Sequence, residues 1–535
     1  MLRISNFQVP IEDDSPPEQL AARRLKLPLK AVKRAVIVRK ALDARRYRGA
    51  PIQFVYVLDV LLEVPEKQVL SRCRKDRNIT QVHMAAGELL PTGNNPPASE
   101  KRPVVVGFGP AGMFAALTLA RAGWNPLILE RGQDVEKRAR DIRDFWRTGV
   151  LNPASNVQFG EGGAGTFSDG KLTTRINDSH MSEVLETFIN AGAPEEIRYL
   201  HKPHIGTDLL RQIVKNIRQE ILGLGGEIRF GAQVTDIEVK EGRLSALVVN
   251  GDSRIAADTV FLGIGHSARD TYEMLLKRGV SMEAKAFAIG VRIEHPQEFI
   301  DRAQYGDDVG NPRLPVADYA LTFKDAESGR GVYSFCMCPG GQVVAAASEV
   351  NRLVTNGMSN YSRDSGIANS AVLVTVTPED FGSEVLAGMR FQQRYEAIAF
   401  EAGGGGYYAP VQSVGDFLKG SRGSVDFLVK PTYAPGVRAA DLRCCLPLLV
   451  TESLARALPS FEKKIPGFAA PDIPMTGIET RSSAPCRIIR NRDNFISESL
   501  GGLYPIGEGA GYAGGIMSAA IDGMKAALAF LSTRT

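Results

Sequence analysis

The pattern of apolar and polar positions divides this chain into regions of different texture. Residues 2–11 alternate as a half-buried strand does, and 17–25 show helical spacing opened by proline. The stretch 35–46 fits strand or helix, while 52–62 (IQFVYVLDVLL) is rich in β-branched and aromatic residues and predicts a strand. Together they predict a small N-terminal α+β domain over 1–90. Four prolines among polar residues between 87 and 103 mark a linker, placed at 91–102.

Beyond it, an apolar run at 104–108, helical spacing over 111–122 and a second apolar run at 126–130 predict strand, helix and strand. An amphipathic helix at 209–222 follows, then a strand at 227–230, hairpin-like alternation over 234–249 and a buried strand at 259–264. From 281 to about 474 strand-like stretches dominate, with few long helices, and 503–535 predicts a strand, a glycine loop and a helix. The expected fold class is α/β. A Rossmann-like domain is built from 103–280 and 490–535, a β-rich substrate or cap domain occupies 281–489, and the small α+β domain precedes both.

Composition sharpens this picture at one residue type. Glycine accounts for 54 of 535 positions, against a usual share of about 7%. The excess clusters near 107–112, 160–170, 402–406 and 501–515, as expected of loops where backbone closely approaches a ligand. With 64 basic and 60 acidic residues the net charge of +4 offers no large nucleic-acid footprint. The first hundred residues hold only a modest excess of 17 basic over 11 acidic. Six cysteines, unevenly spread, do not make a disulfide scaffold. The opening MLRISNFQVPIEDD lacks the basic-then-apolar layout of a signal peptide, and no run of eighteen apolar residues occurs. The expectation is a cytoplasmic protein without a membrane span.

The most informative segment is 104–132, VVVGFGPAGMFAALTLARAGWNPLILERG. An apolar strand runs into Gly107, Phe108, Gly109, Pro110, Ala111 and Gly112, which open a helix, and a second strand ends in Glu130. This is a dinucleotide fingerprint. Gly107 permits the tight turn, Gly109 admits a pyrophosphate against the backbone, and Gly112 lets helix and strand pack closely. The helix start supplies unpaired N–H groups and partial positive charge. Glu130, 18 residues past Gly112, can accept ribose hydroxyls and repels a 2′-phosphate, so FAD or NAD fits and NADP does not. Two later strands run into glycine turns, 258–265 (DTVFLGIG) and 503–515 (LYPIGEGAGYAGG), and the second opens a helix near Ile516. That is the remote support a flavin needs, with Glu508 in reach of the ribityl or pyrophosphate linker.

On these residues the chain resembles the glutathione-reductase-like FAD/NAD(P)-binding superfamily. Within it, the chain is similar to a bacterial group of FAD-dependent dehydrogenases with an added N-terminal domain. The resemblance covers nearly the whole chain and rests on FGEGGAGTFSDGKL (159–172), FLGIGHSARDT (261–271), SFCMCPGG (334–341), SEVNRLVTNGMS (348–359) and YPIGEGAGYAGGI (504–516). It departs from the wider superfamily at Glu508, where an Asp is usual. The resemblance implies FAD as cofactor, held through the fingerprint residues with Arg131 beside Glu130. It also implies contacts from Gly162, Gly163, Gly165 and Thr166, from Val234, from Gly263 and Gly265, and from Gly507, Glu508, Gly515 and Ile516. Lys171 is placed near the flavin edge.

No second glycine fingerprint occurs, so NAD(P)H, if it is the reductant, binds transiently, or the substrate itself gives up hydride. Cys336 and Cys338 are the paired-thiol candidates. In an extended strand they share a face at about 6.6 Å, near the upper limit for a disulfide, so a bridge would be strained and redox-labile. Catalytic candidates are therefore Cys336, Cys338 and Lys171. Arg292, His295, Glu349, Arg481 and Arg487 are candidate substrate anchors, and His201 and His204 lack the neighbours that would complete a metal shell. The expected function is FAD-dependent oxidation or reduction of a small molecule by hydride transfer at flavin N5. The alternatives are a non-catalytic FAD-containing assembly protein, with the N-terminal domain docking a protein partner, or an RNA-modifying flavoprotein.

Overall fold

The computed structural model describes residues 1–45, 51–82, 101–174, 176–422 and 426–534. The linker expected at 91–102 therefore lies, apart from Lys101 and Arg102, outside the described residues.

The N-terminal segment forms a four-stranded antiparallel sheet in the order Val32–Asp43, Gln53–Leu62, Leu2–Pro10, Ile79–Gln81. With helices Pro17–Leu25 and Glu66–Arg72 it completes a βαββαβ, split-βαβ arrangement. The stretch read as either strand or helix is a strand. Its ambiguity has a cause: irregular pairing at Val32/Arg34 and Ile37/Arg39 interrupts the period of two on an edge strand. That strand also seats the domain on the rest of the chain. The Lys40 N–H donates to the Tyr199 carbonyl (2.7 Å), and the His201 N–H donates to the Lys40 carbonyl (2.9 Å).

The next layer is a five-stranded parallel sheet in the order Leu503–Pro505, Val260–Leu262, Val104–Val106, Leu127–Glu130, Glu227–Phe230. Four of its strands are fully buried and, Glu130 apart, apolar, since helices cover one face and a meander covers the other, while the edge strand Glu227–Phe230 carries Glu227 and Arg229. The hairpin expected at 234–249 gains a third strand, giving Val234–Lys240, Arg243–Val249 and Ser253–Ala256. Helix Pro110–Arg121 is buried from Ala111 to Ala120 and packs along the C-terminal helix Ile516–Ser532. Their axes come close because Gly523 has no side chain: a Cβ there would stand 1.9 Å from the Ala111 carbonyl oxygen.

In sequence between strands Val260–Leu262 and Leu503–Pro505 of the parallel sheet, a seven-stranded mixed sheet forms. Its order is Thr322–Lys324, Gly331–Cys338, Ile367–Val376, Phe287–Pro296, Pro474–Glu479, Ala409–Ser413, Val437–Ala439. The central strand Phe287–Pro296 is buried at every position but the last. Two long helices, Ala387–Ala402 and Leu448–Lys464, add more helix than the strand-dominated sequence pattern suggested. The chain enters and leaves this region beside itself, since Met282–Ala284 pairs antiparallel with Cys486–Ile488. Among the described residues no helix is long and apolar enough to cross a membrane.

The helix contact at Gly523 gives a stability test. Gly523→Ala forces the two helices apart and is expected to lower unfolding free energy by about 1–3 kcal/mol. Gly223→Ala, at the end of a helix where a Cβ meets nothing within 4 Å, is expected to be neutral or stabilising. Chemical denaturation of both variants checks the contrast.

Candidate functional site

The site starts where Val104–Val106 ends. Gly107 takes φ +90°, and a Cβ there would lie 2.3 Å from the Gly263 carbonyl oxygen, so the fingerprint turn and the 263–265 turn touch backbone to backbone. A Cβ at Gly112 would fall 1.9 Å from the Gly107 carbonyl oxygen. Helix Pro110–Arg121 has Gly109 at its N-cap, with no side chain capping it. Its first-turn N–H groups are left for an external acceptor. Glu130 closes the turn from the next strand, accepting the N–H groups of Phe108 (2.7 Å), Gly132 (2.8 Å) and Gly160 (3.0 Å).

The 156–171 loop lies across this turn. The Gly162 N–H donates to the Phe108 carbonyl (2.8 Å), and a Cβ at Gly163 would come within 2.9 Å of the Gly109 Cα. The loop is pinned from below by Arg138, wholly buried, whose guanidinium donates to the carbonyls of Asn156, Val157, Gly160 and Glu161. Burial pushes its pKa down to about 10, low for arginine yet still charged at neutral pH. The C-terminal segment supplies the third wall. A Cβ at Gly165 would meet Ile516 Cγ1 at 2.8 Å, and one at Gly507 (φ +74°) would meet the Ala111 Cβ at 2.5 Å. Helix Ile516–Ser532 also begins without a side-chain cap.

These walls enclose a cavity of about 460 Å³. Glu130, Arg131, Ala232 and Val234 line it, together with Gly107, Gly109, Pro110, Ala111, Gly263 and Gly265. Gly163, Gly165, Lys171, Glu508, Gly515 and Ile516 continue the lining, and the mixed-sheet region adds Phe335, Cys336, Asn356, Glu479 and Arg481. Arg131 faces the cavity while held by Asp270 (2.9 Å) and stacked over Phe159.

Five expected residues fall elsewhere. Gly112 lies behind the wall in the helix–strand packing role expected of it, and Gly507 likewise allows close packing rather than lining the cavity. Gly162 and Thr166 line a separate small crevice with Met113, Phe188 and Leu210, because the loop turns its inner face to helix Gly206–Gly223. Cys338 is fully buried beneath the surface. The extended geometry expected for 336–338 does not form either: Cys336 has φ +44° and strand pairing is irregular between Phe335 and Cys338.

The polar groups at the cavity are organised in pairs. Lys171 is tied to Asp169 (3.2 Å) and donates to the Met337 carbonyl; Asp169 also holds Arg363 (2.6 Å). Glu479 is bound by buried Arg292 (2.5 Å) yet pushed up to about 7 by burial. Arg481 reaches Ser348 (2.5 Å) and shares Glu396 with Arg269. His266, enclosed and close to Arg481 and Arg269, is pushed down to about 3 and stays neutral. Glu508 is raised to about 7 by burial, against the pull of Lys285 and the Gly515 N–H. Of the expected anchors only Arg481 lines the cavity. Arg292 lies beneath it, His295 bonds the Phe468 carbonyl (2.8 Å), Glu349 ties Arg269 and Arg481, and Arg487 pairs with Glu283 (2.8 Å). His201 bonds Arg39 and His204 bonds the Tyr361 carbonyl (3.1 Å). Among the described residues no group of three or more metal-ligating side chains gathers. Asn356 and Glu479 were missed by sequence reasoning, because only the sheet register brings them to the rim.

Comparison with known proteins adds relatives to this geometry. A protein of Clostridium beijerinckii is 52% identical over 528 residues, covering 98% of each chain. The chain belongs to that protein's family. Residues 286–482 match a family model described as FAD-dependent protein, C-terminal domain-like. Digeranylgeranylglycerophospholipid reductase of Haloferax volcanii is 25% identical over 239 residues, 44% of this chain and half the length of that protein. Among solved structures, glycine oxidase from Bacillus cereus aligns with a TM-score of 0.31 at 11% identity, over 81% of this chain and 96% of that one.

The residues present fit FAD. Two uncapped helix starts, at Gly109 and Gly515, face one cavity, and a Cβ at Gly514 or Gly515 would meet nothing within 4 Å. Glu130 keeps acceptor capacity beyond its three backbone donors.

Two outcomes follow. Arg138→Met leaves four loop carbonyls without their donor and is expected to cost about 3 kcal/mol or more. Denaturation measures that loss, and hydrogen exchange at 156–163 should accelerate with it. For Glu508 the folded protein holds the proton more tightly than the unfolded chain between the ordinary 4.5 and about 7. Its contribution is thus full below pH 4.5 and lost as pH rises through 7. Glu508→Gln should give a shallower decline of melting temperature across that window.

Proposed function

We propose that the protein is a FAD-dependent oxidoreductase that transfers hydride at flavin N5 to or from a small molecule. The observation that carries the reading is a single cavity lined both by Glu130 and the fingerprint turn and by the mixed-sheet residues Cys336, Asn356 and Glu479. The FAD-dependent description of the family matched over 286–482 supports it, and so does the reductase named among the relatives.

When bound, FAD supplies the two-electron chemistry. The chain supplies the setting. Glu130 accepts ribose hydroxyls, and the start of helix Pro110–Arg121 offers N–H groups and positive potential to the pyrophosphate. The start of helix Ile516–Ser532 faces the same cavity and favours negative charge there. His266 stays neutral, so it adds no competing cation. At the mixed-sheet end, Asn356 and Arg481 present donors and Glu479 a carboxyl that changes protonation near neutrality. These are the groups that orient a polar substrate and exclude water around it. NAD(P)H is the proposed transient reductant, since one fingerprint serves one dinucleotide.

Purified protein should be yellow, with FAD released on denaturation and absorbance bleached by a suitable donor. Gly109→Ala separates binding from folding. Its φ is −79° and a Cβ there meets Gly163 Cα only at 3.5 Å, so the fold is expected to persist while the methyl occupies cofactor space. FAD affinity measured by fluorescence titration should fall tenfold or more with melting temperature nearly unchanged. A colourless wild type that takes up no FAD would refute the reading.

A further inference from the structure

The strand Gly331–Cys338 pairs regularly with Ile367–Val376 up to Phe335, opposite Ala371, and resumes at Cys338, opposite Asn369. Two residues on one strand thus face one on the other, a β-bulge. Within it Cys336 adopts φ +44°, a left-handed backbone that L-residues disfavour. The bulge re-aims one side chain. Cys336 lines the cavity beside Lys171, Asn356 and Glu479, while Cys338 is wholly buried behind it. Cys338 Sγ donates back to the Cys336 carbonyl (3.2 Å), which sets the buried thiol against the bulge.

Cations surround the bulge on two sides. Arg292 donates to the Cys336 carbonyl (2.9 Å) and Lys171 to the Met337 carbonyl. The neighbouring Cys338, then Arg292 and Lys171, hold the Cys336 thiol below its ordinary range; Cys336 and burial hold Cys338 above. This is the division of labour a thiol–disulfide pair needs: a half-buried, cavity-lining thiolate that leaves or attacks, and a buried thiol that keeps its proton.

We propose that Cys336 and Cys338 form a redox pair that exchanges electrons with the flavin, an inference resting on the flavin reading above. In the reductive direction the Sγ–Sγ bond takes two electrons and one proton from the reduced, anionic flavin. The bond breaks, Cys336 leaves as thiolate, Cys338 becomes the thiol, and the flavin is left oxidised. Charge and protons balance without a further reactant. Lys171 is a positioning residue: it fixes the Met337 carbonyl and with it the bulge.

The test is anaerobic dithionite titration of the air-oxidised, FAD-containing full chain, with mass mapping of the peptide bearing 336–338 under non-reducing conditions. Wild type should consume twice the electron equivalents per flavin that Cys336→Ser and Cys338→Ser consume. Its peptide should be two hydrogens lighter before reduction than after. Equal consumption in all three proteins, with both thiols open to alkylation in the oxidised enzyme, would overturn the thiol pair and leave the flavin reading standing. Purification without flavin would overturn both. Should either variant fail to fold, wild-type stoichiometry and the peptide mass decide alone.

Discussion

Close backbone approach between segments far apart in sequence is the constraint on which this structure depends. Gly107 lies against Gly263, Gly163 against Gly109, and Gly523 against the carbonyl of Ala111, each so near that a single added carbon would fall within 3 Å of main chain. Glycine is required at these points because no rotamer escapes a clash made by Cβ itself. Each contact brings a different part of the chain to one turn: the fingerprint, the 156–171 loop, the turn after Val260–Leu262 and the C-terminal helix. The cavity is the space left between them. Its glycine walls are main chain and helix starts, which present N–H groups in fixed positions, and the mixed sheet adds side chains.

Buried charge fixes how the mixed sheet meets that cavity. Arg269 follows the 263–265 turn, yet its guanidinium is held by Glu396 (2.7 Å) and Gln392 (3.0 Å) on helix Ala387–Ala402. Arg481 binds the same carboxylate from the end of strand Pro474–Glu479. Such pairs contribute little net stability, because desolvation offsets attraction, but breaking one strands a buried charge. Here their effect is registration. One carboxylate, held by an arginine from each region, sets where the rim bearing Arg481 and Glu479 stands over the glycine walls. Arg138 does the same for the 156–161 loop.

Much of this was legible in the sequence, and the limits have physical causes. The fingerprint could be read because strand, turn and helix are contiguous and each glycine has its own steric task. The C-terminal glycine turn could be read for the same reason, and Glu130 and Glu508 both line the cavity. Thr166 and Gly162 could not be placed, since which face a loop turns inward depends on a helix forty residues away. The bulge at Cys336 was hidden because alternation in SFCMC is compatible with a regular strand, and only pairing with Ile367–Val376 displaces a residue. Asn356 and Glu479 carried no local signal. The split-βαβ order of the first domain likewise came from pairing, with edge irregularities masking one strand.

The central claim is that the glycine-walled cavity holds one FAD with its flavin end toward the mixed sheet. A crystal structure of the protein purified with its native cofactor tests this most directly. Electron density is expected for the adenosine at Glu130, the pyrophosphate at Gly109, and the ring within contact of Cys336 and Lys171. Nucleotide density elsewhere, or a ring directed away from Cys336, would contradict it.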